Sequence, residues 1–153
     1  METNTINRNI YLLIGGLFSL AFAIFQISAI VWPPALLDYF GGPVKMQAEY
    51  PIIYISGCAL VGAIVAVAGF YALSGAGKFR PLPLLRTGLV AITIVYILRG
   101  LFIINFIILI ISYPEMNLKP QFAVFSLIAL CVGMIHLMGV IRLFRQKYSK
   151  SSS

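Results

Sequence analysis

Arg99 and His136 are the residues whose chemical type and position stand out most in this 153-residue chain. Arg99 lies in an apolar stretch that runs from Thr87 to Ser112. In a helix that placement puts it about 18–20 Å from either end. A guanidinium at such depth costs at least ~3 kcal/mol on insertion scales, so it must face a partner or a wet cavity. Ile92, Val95, Tyr96, Phe102, Ile103 and Phe106 share its helical face and wall it in. No long apolar stretch contains an acid. The partner is therefore Glu49 or Asp38 reached by snorkelling, a backbone carbonyl, Gln26, water or an anionic ligand. Two readings are open. Arg99 staples an outer loop to the helices, or it forms the base of a pocket for an anionic or polar ligand that also uses Gln26, Tyr54, Tyr96, Glu49 and Asp38. A direct proton relay is disfavoured because arginine hardly ever releases its proton. A small anion channel or transporter, with Arg99 as a fixed charge, is an alternative.

His136 is the sole histidine. It suits either a packed contact between helices or, as a remote alternative, a haem ligand shared across a dimer in a redox subunit. Within one chain a second axial ligand is lacking: Met134 and Met138 share its helix, and Met46 and Met116 belong to the opposite face. Asn105, Ser112 and Ser126 offer interhelical hydrogen bonds, typically worth only ~0.6 kcal/mol in a bilayer. No Ser–His–acid set, HExxH, CxxC, phosphate loop or intramembrane carboxylate pair occurs in the sequence. Enzyme action is thus disfavoured, and neither a metal nor a cofactor is expected.

The elements that must hold these residues follow from composition. The chain is 61% hydrophobic and 10% charged, with a net charge of +7. A water-soluble domain is nearer half apolar and a quarter charged. The expected fold is all-α, an integral membrane four-helix bundle with a capping outer loop. Its spans fall at about 10–32, 52–74, 87–112 and 122–141, each near the ~20 residues that cross the hydrocarbon core. They form one transmembrane domain over 1–148, with a flexible tail at 149–153. Runs this long and unalternating are not barrel strands, and without water only a helix satisfies the backbone. Trp32-Pro33-Pro34, Pro51, Gly75, Gly77, Pro114 and Pro120 punctuate the spans. The first span is too long for a signal-peptide h-region.

Cations orient the bundle. Arg8, Lys78, Arg80, Arg86, Arg142, Arg145, Lys147 and Lys150 fall on one side, with Lys45 and Lys119 on the other. Positive loops stay in the cytoplasm, so both termini are expected there. Spread along membrane flanks, these charges meet lipid headgroups and do not suggest nucleic acid. Cys58 and Cys131 read as small core residues. Small residues mark close helix approach: Gly16 in the first span, Ala59, Gly62, Ala63, Ala66 and Gly69 in the second, Gly133 and Gly139 in the fourth. Residues 33–51, rich in aromatics, either fold over the outer end as a cap or anchor an interfacial loop.

Tyr71-Ala72-Leu73-Ser74-Gly75-Ala76-Gly77, Arg80-Pro81-Leu82-Pro83-Leu84-Leu85-Arg86, Tyr96-Ile97-Leu98-Arg99-Gly100 and Asp38-Tyr39-Phe40-Gly41-Gly42-Pro43 resemble segments of a family of small bacterial four-helix inner-membrane proteins. The resemblance covers most of spans one to three and fades in the fourth. It implies a bacterial inner-membrane location, makes Arg99 and the Gly-Ala-Gly turn parts of the family pattern, and carries no activity. Size and basicity are also similar to the membrane glutathione-transferase superfamily, but the basic loop after the first span and the Glu-Arg pair of that group are absent. The expected function is a non-enzymatic accessory or ligand-binding protein. Its expected partners are membrane lipids and a second copy or another membrane protein.

Overall fold

Four helices in the structure, a computed structural model, are long and apolar enough to cross a membrane. Residues 9–112 and 120–151 are described. Helix α1 spans Ile10–Ser28 and continues as a short 3-10 turn, Ala29–Val31; α2 (Pro34–Tyr39) and α3 (Val44–Glu49) are short. The long helices α4 (Pro51–Gly75), α5 (Leu85–Ser112) and α6 (Gln121–Ser151) complete the bundle. All regular structure among the described residues is helical. The expected all-α membrane bundle is the fold observed.

Local chemistry sets the helix ends. The Asn9 side chain accepts from the Leu12 N–H at 3.4 Å and donates to the Gly139 carbonyl at 2.6 Å. It thereby caps α1 and ties it to α6. Pro51 occupies the first turn of α4, where its missing N–H costs nothing. At the far end Gly77 has φ +76°, the Lys78 N–H bonds the Leu73 carbonyl, and the Gly77 N–H bonds that of Ser74. This paired closure satisfies carbonyls that the helix end leaves open. Helix α6 runs to Ser151, past the expected span end at Ile141 and into the 149–153 segment expected as a tail. Arg8, Pro114, Glu115, Met116 and Lys119 lie outside the described residues.

Antiparallel pairs, α1 with α4 and α5 with α6, make the closest packing. A methyl group added at Gly16 would lie 3.0 Å from the Gly69 carbonyl oxygen, and one at Gly62 would lie 2.5 Å from Ile27. In the other pair, a methyl at Gly100 would lie 2.6 Å from the Leu130 Cα and one at Gly133 3.1 Å from the Ile97 nitrogen. Gly139 meets Leu12 and joins the pairs through α1 and α6. Leu12, Ala72, Ala76, Leu89 and Val140 form the core at the end where α4 turns into α5.

The seam expected on α4 is partly displaced. Gly62 and Gly69 are buried, but Ala59 and Ala63 face outward and Ala66 is half-buried. The inward face instead runs Tyr54, Cys58, Gly62, Gly69 and Leu73. One residue step turns a helix by ~100°, and large side chains from α1 (Ile27 on Gly62, Leu20 on Gly69) choose the row. Cys131, expected in the core, is exposed, whereas Cys58 is buried. Of α5 only Leu89, Thr93 and Gly100 are buried, so this helix forms one flank of the bundle.

Candidate functional site

The cap is a folded element. Pro34 starts α2 and Gly41, at φ +76°, turns the chain between α2 and α3. Leu37 is buried against Tyr54 and Cys58. The Phe40 ring lies 5.4 Å from Phe25 of α1, 5.0 Å from Trp32 and 6.3 Å from Phe125 of α6. Rings at such separations attract beyond simple burial. Two hydrogen bonds secure the arrangement: the Tyr54 hydroxyl donates to the Ala29 carbonyl at 2.7 Å, and the Gln47 amide donates to the Trp32 carbonyl at 2.9 Å. Gln47 ties the cap to the chain before it, and Tyr54 ties α4 to the 3-10 turn; among the described residues Arg99 bonds to neither.

Arg99 instead donates to the Ser126 hydroxyl on α6, at 3.0 Å. The register of α5 against α6, set by Gly100 on Leu130 and Gly133 on Ile97, places Cys131 opposite Arg99. Ser126 is five residues nearer the capped end, about 7.5 Å along the helix axis. The side chain therefore snorkels toward the cap side, and the charge sits closer to that interface than its Cα does. It enters a groove of about 430 Å³ between α5 and α6, lined by Phe102, Asn105, Phe106, Leu109, Phe122 and Ser126. Phe122 also touches the cap, since a methyl at Gly41 would lie 3.2 Å from its ring. Among the described residues, the groove is apolar along its walls and carries the Arg99 guanidinium, the Asn105 amide and the Ser126 hydroxyl.

The other residues expected around Arg99 are distributed elsewhere. Tyr54 is buried beneath the cap, Asp38 and Glu49 are exposed on the cap helices, and Gln26 is half-buried on α1. Tyr96 lies one turn from Arg99 on α5 but turns to α1, where its hydroxyl donates to Ser19 at 2.8 Å. The six-residue set is thus divided by geometry, because side chains spaced along one helix turn to different neighbours. Asn105, Phe122 and Ser126 complete the groove. Ser126 and Asn105 were legible only as isolated polar residues, and Asn9 carried an N-cap signal in its position before an apolar run.

His136 is completely buried. Its Nδ1 lies 2.9 Å from the Val132 carbonyl, which can only accept, so Nδ1 carries a proton. The imidazole stacks on Tyr96 with centroids 5.2 Å apart, and Gly15 of α1 fits against it. Among the described residues Nε2 has no hydrogen-bond partner. The ring is enclosed between α1, α5 and α6. The contact role is the one the packing supports.

Compared with known proteins, the chain matches no family model, no curated protein and no solved structure.

Proposed function

We propose that this multi-pass membrane protein is a non-enzymatic accessory or binding protein, and that its α5–α6 groove holds an anionic amphiphile. The observation that carries the reading is the Arg99 guanidinium, bonded to a neutral hydroxyl and opening onto an apolar groove of about 430 Å³. A volume of that size falls within the range of small-molecule sites. The head of the ligand would accept hydrogen bonds from Arg99 and Asn105, and its tail would lie along Phe102, Phe106, Leu109 and Phe122. A guanidinium paired with an anion in this setting forms charge-assisted hydrogen bonds, which neutral donors cannot match. The same reading places the protein in a bacterial inner membrane with both termini cytoplasmic, following the asymmetry of its cations. It also has the protein self-associate or join a membrane complex through faces such as Ala59 and Ala63, which the bundle leaves outside.

The test is the identity of what co-purifies. Native mass spectrometry of gently extracted protein should show a retained anionic amphiphile beyond any that Arg99→Ala keeps, its occupancy about tenfold lower in that variant, the size expected for losing a charged hydrogen bond. A wild-type protein free of bound mass, or an Arg99→Ala variant with unchanged occupancy, overturns the reading.

A further inference from the structure

A separate cavity of about 390 Å³ lies at the opposite end of the bundle. The loop into α5 and the first turn of that helix form one wall, with Leu84, Leu85, Arg86 and Thr87; Leu143 of α6 forms the other. The Arg86 guanidinium stands over the Phe144 ring, 5.6 Å from its centroid. A cation–π contact occupies the face of the guanidinium and leaves the N–H donors around its edge for an acceptor.

The loop that builds this cavity is pinned. The Ser74 hydroxyl donates to the Arg80 carbonyl at 2.9 Å and accepts from the Leu82 N–H at 3.1 Å. The Tyr71 hydroxyl donates to the Pro83 carbonyl at 3.2 Å. Leu84 adopts φ +53°, a region that side chains with a Cβ avoid. That conformation leaves the leucine 79% exposed, and Phe79, earlier in the same loop, is 57% exposed. Apolar side chains are thus held outward next to Lys78, Arg80 and Arg86, and no acid occurs anywhere between Glu49 and Glu115. Helix α5 has 28 residues, about 42 Å of helix against a hydrocarbon core of about 30 Å. Its first turn, with Arg86, therefore stands at the level of the headgroups.

We infer that this cavity binds the headgroup of an anionic phospholipid. The phosphodiester sits on Arg86 and the Thr87 hydroxyl, Lys78 and Arg80 supply the surrounding positive field, and an acyl chain runs along Leu84, Leu85 and Leu143. Basic pockets between helices at a membrane surface are suited to such headgroups. The inference does not depend on the Arg99 groove.

Delipidated protein in detergent is titrated with phosphatidylglycerol and, separately, with phosphatidylcholine, and bound lipid is counted by native mass spectrometry. Wild type should take phosphatidylglycerol in preference, Arg86→Gln should bind it about tenfold more weakly, and Arg86→Lys should recover part of the loss. Leu143→Trp, which fills the cavity and leaves Arg86 in place, should also exclude the lipid; it keeps the test open if the arginine variants fail to fold. Arg99→Ala should still bind one phosphatidylglycerol. Equal binding of the two lipids, or Arg86→Gln and Leu143→Trp titrating like wild type, overturns the inference. So does loss of all phosphatidylglycerol binding in Arg99→Ala with retention in Arg86→Gln, which assigns the lipid to the groove.

Discussion

At the level of single residues, Arg99 and Tyr54 each bond a neighbouring segment toward the capped end. The mid-helix arginine has its Cα deep in α5, yet its guanidinium reaches Ser126 nearer the capped end. Tyr54, one turn into α4, carries the hydrogen bond that fastens the chain before the cap to the helix after it. Tyr54→Phe should destabilise the protein by about 1 kcal/mol, because the Ala29 carbonyl loses its donor while the ring stays packed; thermal unfolding followed by circular dichroism in detergent measures this. Cys58 reports on burial beneath the cap. N-ethylmaleimide should spare it in the folded protein and modify it on unfolding. Modification of Cys58 at the same rate in folded and unfolded protein would contradict the packing of α4 beneath the cap.

Elements obey a different constraint, the matching of one helix surface to the next. Gly100 and Gly133 let α5 and α6 approach so closely that Gly100 has no room for even a methyl group. Gly100→Leu should force the pair apart and cost several kcal/mol, about the scale of severe overpacking. Loss of the Arg99–Ser126 bond and of groove occupancy should accompany it. The cap can be tested optically, since Trp32 is the single tryptophan. Phe40→Ala removes a ring that packs on Trp32 and Phe25. Truncating a packed aromatic costs about 3–5 kcal/mol. The Trp32 emission should shift to the red and Cys58 should gain reactivity as Leu37 loosens. An unchanged spectrum would mean that the cap does not rest on the bundle. The limits of the first three spans and the helix-ending role of Gly77 were legible because each depends on local chemistry, whereas the C-terminal end of α6 was not. The row of α4 that faces α1 was not, because Ala59, Gly62, Ala63, Ala66 and Gly69 offer two overlapping small-residue stripes, and only the Leu20 and Ile27 side chains of α1 distinguish between them.

Across the whole molecule, four helices are long and apolar enough to cross a membrane, and the proposed topology puts both ends of the chain on one side of the bilayer. Reporter fusions at the N- and C-termini should give the same topology signal, on the cytoplasmic side that the cation asymmetry indicates; opposite signals would require an odd number of spans. The α5–α6 flank carries two cavities at opposite ends, one beside Arg99 and one beside Arg86. Membrane insertion and the all-helical architecture were determined by the sequence alone, since 61% apolar content in four uninterrupted runs leaves the backbone no other solution in lipid. Which polar groups meet was decided only in the tertiary structure. Gln26, Tyr54, Tyr96 and Arg99 all lie on spans, but the rotation and register of each helix send them to different neighbours, and those are set by close-packed contacts distant in sequence. Arg99 could be read from the chain as a charge that must face something. That it faces Ser126 and an apolar groove follows from Gly100 seated on Leu130 and Gly133 on Ile97.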